Sequence, residues 1–464
     1  MLNSEIFIPS SPSLVLSSFS VSLIKFLAMT VSQTMSVEKL ARKFQSYLHN
    51  ALAFIVFLFL DFVDAVLCVV YKCLDMFLEG KSSPCHCRNK DSSIIDEEDD
   101  GQSDSFYGRN NAFRKLVSFV FQRKWKNISK KAENFGNGEV KNKWSDCNCE
   151  SCLSWLKDGG ERLHVVVKEP SPVRNDKIGE DENVIFVHGF LCSSSFWTES
   201  VFKNLSETAN RTYRLFAIDL LGLGKSPKPL DCQYTLKDHL EMIEKSVINP
   251  YNLKSFHLVA HSMGCPIALA LAAKYPKSVK SLTLVAPAIF SCGKDEGGVE
   301  VLNKLAEKKL WPVESFQRSV MSWYEHIGRS VCFFVCRHHR TWESLLMLLT
   351  NNRKLSFAVK DLTKHTHHSS WHNVHNVICG GAKFMDGYLE ILKNAGVKFN
   401  IVHGDRDNTI PTECSYDIKR KVGNAELSII RNGTHSSVIF RRKKDFTQNL
   451  EHFWASTLSE NSSL

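Results

Sequence analysis

The residues His261-Ser262-Met263-Gly264 sit between an apolar run, SFHLVA (255–260), and a long apolar stretch that ends at Pro276. A strand, a sharp turn carrying a serine, and then a helix is the arrangement that lifts a hydroxyl above a sheet edge for attack on a carbonyl. The turn matches G-x-S-x-G with Ala260 in the first glycine position, where a methyl group still fits and a bulky side chain would clash. A serine hydroxyl is a poor nucleophile at neutral pH. It needs a base, and the base needs a carboxylate to orient it. In this arrangement the chain order is serine, acid, histidine. Gly404-Asp405-Arg406-Asp407 and Gly433-Thr434-His435 supply that order after two later apolar runs. Asp407 is the expected acid, because the turn needs room before the carboxylate can point back; Asp405 is expected to form the turn. The expected triad is Ser262, Asp407 and His435.

Charge developing on the attacked carbonyl oxygen needs fixed donors. His188-Gly189-Phe190 follows an apolar run, where such an arrangement places one backbone N–H, that of Phe190; the amide of Met263, just after the nucleophile, is the second. Phe190 and His261 are expected to wall an acyl pocket, and His188 to be a structural loop residue. Asp219-Leu220-Leu221-Gly222-Leu223-Gly224-Lys225-Ser226 is expected to be architecture, its glycines permitting positive φ.

The elements that must hold these residues alternate strand and helix. RLHVVVKEP (162–170), NVIFVHGF (183–190), RLFAIDLLGLGKS (214–226), SFHLVAHSMGCPIALALAAKYP (255–276) and SLTLVAPA (281–288) carry buried strands, and VKFNIVHGDRD (397–407) and AELSIIRNGTH (425–435) add two more. Such alternation predicts an α/β fold with a mostly parallel sheet flanked by helices. Between 291 and 393 the alternation stops and the pattern turns helical. A helical insertion after the sixth strand of such a sheet would sit as a lid over the carboxyl ends, where ligands bind. Trp311, Phe316, Trp323, Phe333, Phe334, Leu345, Leu346 and Leu348 are expected on its inner face, and His365, His367, His368, His372 and His375 on a polar lid surface.

The predicted organisation is therefore a disordered segment 1–50, a hydrophobic segment 51–71, a polar linker 72–160 with a cysteine cluster, the two core parts 161–290 and 394–464, and the lid 291–393. ALAFIVFLFLDFVDAVLCVVY (51–71) is long enough to span a bilayer but carries Asp61 and Asp64. Lys39, Arg42 and Lys43 precede it, which suits a signal or signal anchor; a helix lying on a membrane and a helix docked on the core are the competing readings. The acidic run DEEDD (96–100) marks the linker.

The formal charge of +9 is modest for 464 residues, and 43% hydrophobic composition supports a substantial core. No zinc-finger or RNA-binding signature is present, so no nucleic-acid partner is expected. Fifteen cysteines include a C-x-C pair, Cys85 and Cys87, and a cluster, Cys147, Cys149 and Cys152. A structural zinc needs about four ligands, and this cluster offers three with no histidine nearby in sequence, so disulfides or free thiols are expected instead of a metal. No cofactor is expected. Sequons at Asn127, Asn204, Asn210, Asn432 and Asn461 are compatible with secretion.

The set HGF, DLLGLGKS, AHSMG, GDRD and GTH, in that order from about Leu163 onward, is similar to the α/β-hydrolase superfamily. The N-terminal apolar segment, WSDCNCESCLSW (144–155) and VHGFLCSSSFWTESVF (187–202) further resemble the plant BODYGUARD proteins, described as probable lysophospholipases. That resemblance implies an extracellular, cell-wall enzyme acting on lipid esters in cuticle formation, in membrane or wall association, with its triad on Ser262, Asp407 and His435. Two other readings stand beside this lipid esterase. One is an acyltransferase or polyester synthase using the same triad, although an H-x4-D pointer is missing because Phe440 follows His435 at that spacing. The other is a hydrolase-fold ligand receptor without turnover. Epoxide hydrolase and dehalogenase chemistry is excluded by a serine, not an aspartate, at the elbow.

Overall fold

The computed structural model describes residues 15–80, 85–86, 102–109, 111–113, 143–157, 161–171, 182–290, 297–351 and 353–461. Seven apolar runs become the strands β1 (Val165–Lys168), β2 (Glu182–Val187), β3 (Tyr213–Ile218), β4 (Phe256–His261), β5 (Val279–Val285), β6 (Lys398–Gly404) and β7 (Glu426–Ile430). They form one sheet in the order β1-β3-β2-β4-β5-β6-β7. Only β1 is antiparallel to its neighbour; every other pairing is parallel. Parallel strands are covered on both faces, which is why β4 is buried throughout and β2 is buried from Asn183 onward. Val184, Phe186 and Val259 join a core cluster with Trp197, Phe453 and Trp454, while the alternate residues point to the opposite face.

Two compact units make up the chain, Met1–Phe59 and Leu60–Leu464. A continuous helix, α1, spans Val15–Glu79. Helix therefore occupies residues 15–50, where disorder was expected; residues 1–14 lie outside the described ones. In the first unit Leu40, Phe44, Leu48, Leu52 and Ile55 are exposed. In the second, Asp61, Asp64, Cys68, Tyr71 and Asp75 recur at alternating three- and four-residue spacing and are buried, while Phe62, Val66, Val70 and Phe77 are exposed. The aspartates that interrupt the apolar segment thus form the face of α1 that docks on protein.

Parts of the expected linker are also docked. Ser105 and Phe106 are fully buried, and Arg109 donates to the Trp323 carbonyl at 2.8 Å and pairs with Glu325 at 3.3 Å. Such anchoring rests on single side chains and polar contacts, which leave no periodic trace in sequence. The acidic run 96–100 lies outside the described residues. A short helix, α2 (Glu150–Lys157), begins within the cysteine cluster and carries Cys152.

In the core, α3 (Leu236–Ile243) and α4 (Gly264–Lys274) follow β3 and β4. The helical insertion follows β5, the fifth strand along this chain, one strand earlier than expected, and the loop with Phe190 follows β2. It contains α5 (Gly298–Leu305), α6 (Val313–Trp323), α7 (Glu325–Val335), α8 (His339–Thr350) and, returning to the sheet, α9 (Ala382–Asn394), which packs on α4. After β6 and β7 come α10 (Glu413–Val422) and α11 (Lys443–Asn461).

The lid departs from expectation in two ways. Its histidines are not a polar surface: His365, His372 and His375 are buried, and His367 and His368 are half-buried. They stack among aromatic rings, with Phe106–His375 at 4.7 Å, Trp371–His375 at 4.4 Å and Tyr234–His368 at 5.7 Å. Burial, with His368 and His86, pushes His372 down to about 2, and burial with the Lys143 charge pushes His368 to about 4, so both rings are neutral. Second, Trp311, Phe334, Leu345, Leu346 and Leu348 face outward, and α8 buries no residue at all; Trp323 is the buried one of the set.

Candidate active site

β4 delivers Ser262 directly, and α4 begins two residues later. Ser262 adopts φ +53°, a left-handed conformation that a non-glycine residue takes only when its surroundings enforce it. Here the Ser262 amide donates to the Val285 carbonyl at 2.9 Å, and its carbonyl accepts from Cys265 at 2.9 Å. Two glycines permit the turn. A Cβ at Gly264 would lie 2.6 Å from the His188 carbonyl oxygen and 2.8 Å from that of Val187; one at Gly189 would lie 2.8 Å from His261 Nδ1 and 3.1 Å from Ser262 Cβ.

The loops after β6 and β7 bring the other two residues to this serine, at the carboxyl ends of the parallel strands. His435 Nε2 is 2.9 Å from Ser262 Oγ, and His435 Nδ1 is 2.7 Å from Asp407 Oδ2. A carboxylate only accepts, so Nδ1 carries the hydrogen and Nε2 is left to take the serine proton. Asp405, by contrast, is exposed, and its amide closes the turn on the Ile430 carbonyl.

The Asp407 side chain is fully inaccessible. Its Oδ1 accepts from the amides of Thr409 (2.7 Å) and Ile410 (3.0 Å). His403 Nε2 lies 3.2 Å from Oδ2 and 3.1 Å from the Ile410 carbonyl. Both are acceptors, so that nitrogen is a donor as well. Burial alone would raise the Asp407 carboxyl, but the hydrogen bonds from His403, His435 and the Ile410 amide outweigh it and hold it well below the usual carboxylate range.

The remaining predicted residues divide by placement. The N–H groups of Phe190 and Met263 have no hydrogen-bond acceptor within the protein among the described residues; Met263 directly follows Ser262, and Phe190 follows Gly189, which lies against Ser262. Phe190 is half-buried; Met263 is fully buried. His261 is only 3% exposed and offers almost no surface to a substrate. Its ring stacks on Phe196 at 4.5 Å, and Nε2 donates to the His435 carbonyl at 3.1 Å. Burial and the adjacent His435 push it down to about 3, so it is a neutral donor to the His435 backbone and not the pocket wall expected from sequence. His188 is structural: Nδ1 donates to the Gly189 carbonyl (2.7 Å) and Nε2 accepts from the Leu220 amide (2.9 Å).

The alpha/beta hydrolase fold family model matches residues 182–441. Over 418 residues the chain is 49% identical to probable lysophospholipase BODYGUARD 4 of Arabidopsis thaliana, covering 89% of this chain and 99% of that protein. BODYGUARD 5 of the same plant is 47% identical (91% and 99% covered), and BODYGUARD 1 is 40% identical (89% and 97% covered). The chain is an α/β-hydrolase of the BODYGUARD family.

In this α/β-hydrolase two supports of the site escaped the sequence reading. His403 lies inside β6, where a histidine on an apolar strand gives no signal of its own. Arg318 lies on lid helix α6 and donates to the carbonyls of Thr409 (2.6 Å) and Asn408 (2.7 Å), bracing the loop that carries Asp407. Asp219, expected to be architectural, accepts from the amides of Ser194 (2.6 Å) and Lys225 (2.7 Å) and so fixes the loop following Phe190.

Proposed function

We propose that this BODYGUARD-family chain is a serine ester hydrolase acting on acyl lipid esters, of the lysophospholipase or cutin-related kind. One observation carries the reading: the hydrogen-bonded series Ser262–His435–Asp407 on a serine held at positive φ. His435 Nε2 takes the Ser262 proton as Oγ attacks the ester carbonyl, and the oxyanion forms against the Phe190 and Met263 amides. The protonated His435, its charge balanced by Asp407, then gives that proton to the departing alcohol. Water then loses a proton to His435 as its oxygen bonds to the acyl carbon, and His435 returns that proton to Ser262 Oγ as the Oγ–acyl bond breaks and the acid leaves. The names of the relatives support the ester class. An exposed apolar face on α1, together with exposed Phe334, Trp342, Leu345, Leu348 and Leu349 on the lid, supports a protein that works against a membrane or wall lipid surface.

A secreted or membrane-anchored protein is the corresponding localisation. Docking of Asp64 and Asp75 on the lid favours retention of α1 over its removal. Among the sequons, Asn432 is exposed and suits a glycan, whereas Asn204 and Asn210 use their side chains in internal hydrogen bonds. The test is a p-nitrophenyl ester series from two to sixteen carbons, run beside lysophosphatidylcholine and monoacylglycerol. Each methylene buried contributes about 0.8 kcal/mol, so kcat/KM should rise toward medium or long chains. A preference for acetate over every longer chain refutes the lipid reading.

A further inference from the structure

The cysteine cluster at the start of α2 lacked a fourth ligand in sequence, and the fold supplies one. His339, the first residue of lid helix α8, points Nε2 at Cys149 Sγ (3.4 Å) and Cys152 Sγ (3.6 Å) across 190 and 187 residues of chain. With Cys147, the four ligand atoms all lie within 4.8 Å of one another. A tetrahedral zinc with sulfur at about 2.3 Å and nitrogen at about 2.0–2.1 Å requires nitrogen–sulfur edges of about 3.5 Å. Both observed edges fall on that value.

Three further observations favour a metal over a cluster of thiols. One imidazole lone pair accepts one S–H, yet two sulfurs approach the same nitrogen. On the other side of the ring, His339 Nδ1 meets Glu343 Oε1 at 3.1 Å, the carboxylate–histidine pairing that fixes a metal-binding tautomer. The Cys149 amide also donates to Cys147 Sγ at 3.5 Å, as amides do to metal-bound thiolates. None of the thirteen described cysteines is in a disulfide. A cavity of about 20 Å³ is lined by Cys147, Cys152 and Arg337, the last a cation next to what would be a net negative centre, and also by Cys332, Cys336 and His365.

We propose that Cys147, Cys149, Cys152 and His339 bind a structural zinc ion that staples the segment preceding the core to the lid. Four protein ligands leave no open position, so the ion cross-links and does no chemistry. Two other sets, Cys332-Cys336-His365 and Cys68-Cys85-His326, hold three ligands each and serve as internal controls.

Full-length protein produced with zinc supplied and purified without chelator should contain zinc by elemental analysis. Cys149→Ser and His339→Ala should each lower that content by one ion per chain, and Cys332→Ser should leave that ion in place. Glu343→Gln should weaken zinc affinity by about ten- to a hundredfold in a chelator competition. Should the ligand variants fail to fold, cobalt exchanged into the wild-type chain gives the readout: thiolate charge-transfer bands and intense visible bands of tetrahedral coordination are expected. Zinc-free protein, unchanged zinc in folded Cys149→Ser, weak octahedral cobalt bands, or a disulfide mapped among Cys147, Cys149 and Cys152 would each overturn the proposal.

Discussion

Asp405 and Asp407 stand two residues apart, yet only Asp407 reaches His435, and its depressed carboxyl records how heavily it is bonded. Asp407→Asn keeps the shape but presents His435 with an amide, favouring the wrong tautomer, so kcat should fall by about four orders of magnitude. Asp405→Asn should change little; the reverse pattern would move the acid upstream. The same carboxyl links stability to pH. Held below its ordinary value of about 3.9, it contributes stability that is present above that pH and lost as the pH falls through the folded value. Unfolding of Asp407→Asn and wild type should therefore differ most near neutrality and converge in strong acid. His261 acts on the base from the other side. His261→Phe should lower kcat more than it raises KM, because the His435 carbonyl loses its donor while the stacking on Phe196 survives.

A helix of the 291–393 insertion reaches the loop that carries Asp407. Arg318 reaches from α6 to the carbonyls of Asn408 and Thr409, so Arg318→Ala should loosen the acid loop and cost about ten- to a hundredfold in kcat with KM nearly unchanged. An effect confined to KM would assign Arg318 to substrate binding instead. On α1, Asp75 pairs with Arg329 through both carboxylate oxygens at 2.6 and 2.8 Å and also accepts from Trp144 at 2.7 Å. Asp75→Asn leaves a buried guanidinium without its charge partner and should cost about 3–5 kcal/mol in chemical unfolding. The contrast between these helices and the strands explains what sequence could reveal. The doubly covered parallel strands β2 to β6 write themselves as largely apolar runs, the half-exposed edge strands β1 and β7 still show Val- or Ile-rich stretches, and the turns after β4, β6 and β7 carried their own motifs. Arg318 and His339 act across long separations from elements that specify only their own fold, and His403 acts on Asp407 from inside an apolar strand, so no local pattern announces them. The lid histidines misled for the same reason: composition suggests a wet surface, and only packing against Phe106, Trp371 and Tyr234 removes them from water.

For the whole molecule, buried neutral histidines set the acid limit. Burial pushes His239 down to about 4 and His261 to about 3, with His368 at about 4. Unfolded, each takes a proton below about pH 6.5; folded, each refuses it until much lower pH. Each therefore removes up to about 1.4 kcal/mol of stability per pH unit as the pH falls between those limits. Thermal midpoints should drop steeply from pH 6.5 toward pH 4, and His239→Gln should flatten the slope; a midpoint independent of pH in that window would contradict the neutral assignment. The central claim is that the intact chain uses Ser262 to form an acyl-enzyme with an ester substrate. Its most direct test is to treat the full-length protein with a fluorophosphonate and map the modified peptide. One adduct is expected, on Ser262, formed with loss of esterase activity and absent from a folded Ser262→Ala variant. Labelling elsewhere, or ester turnover by Ser262→Ala equal to that of the wild type, would contradict it.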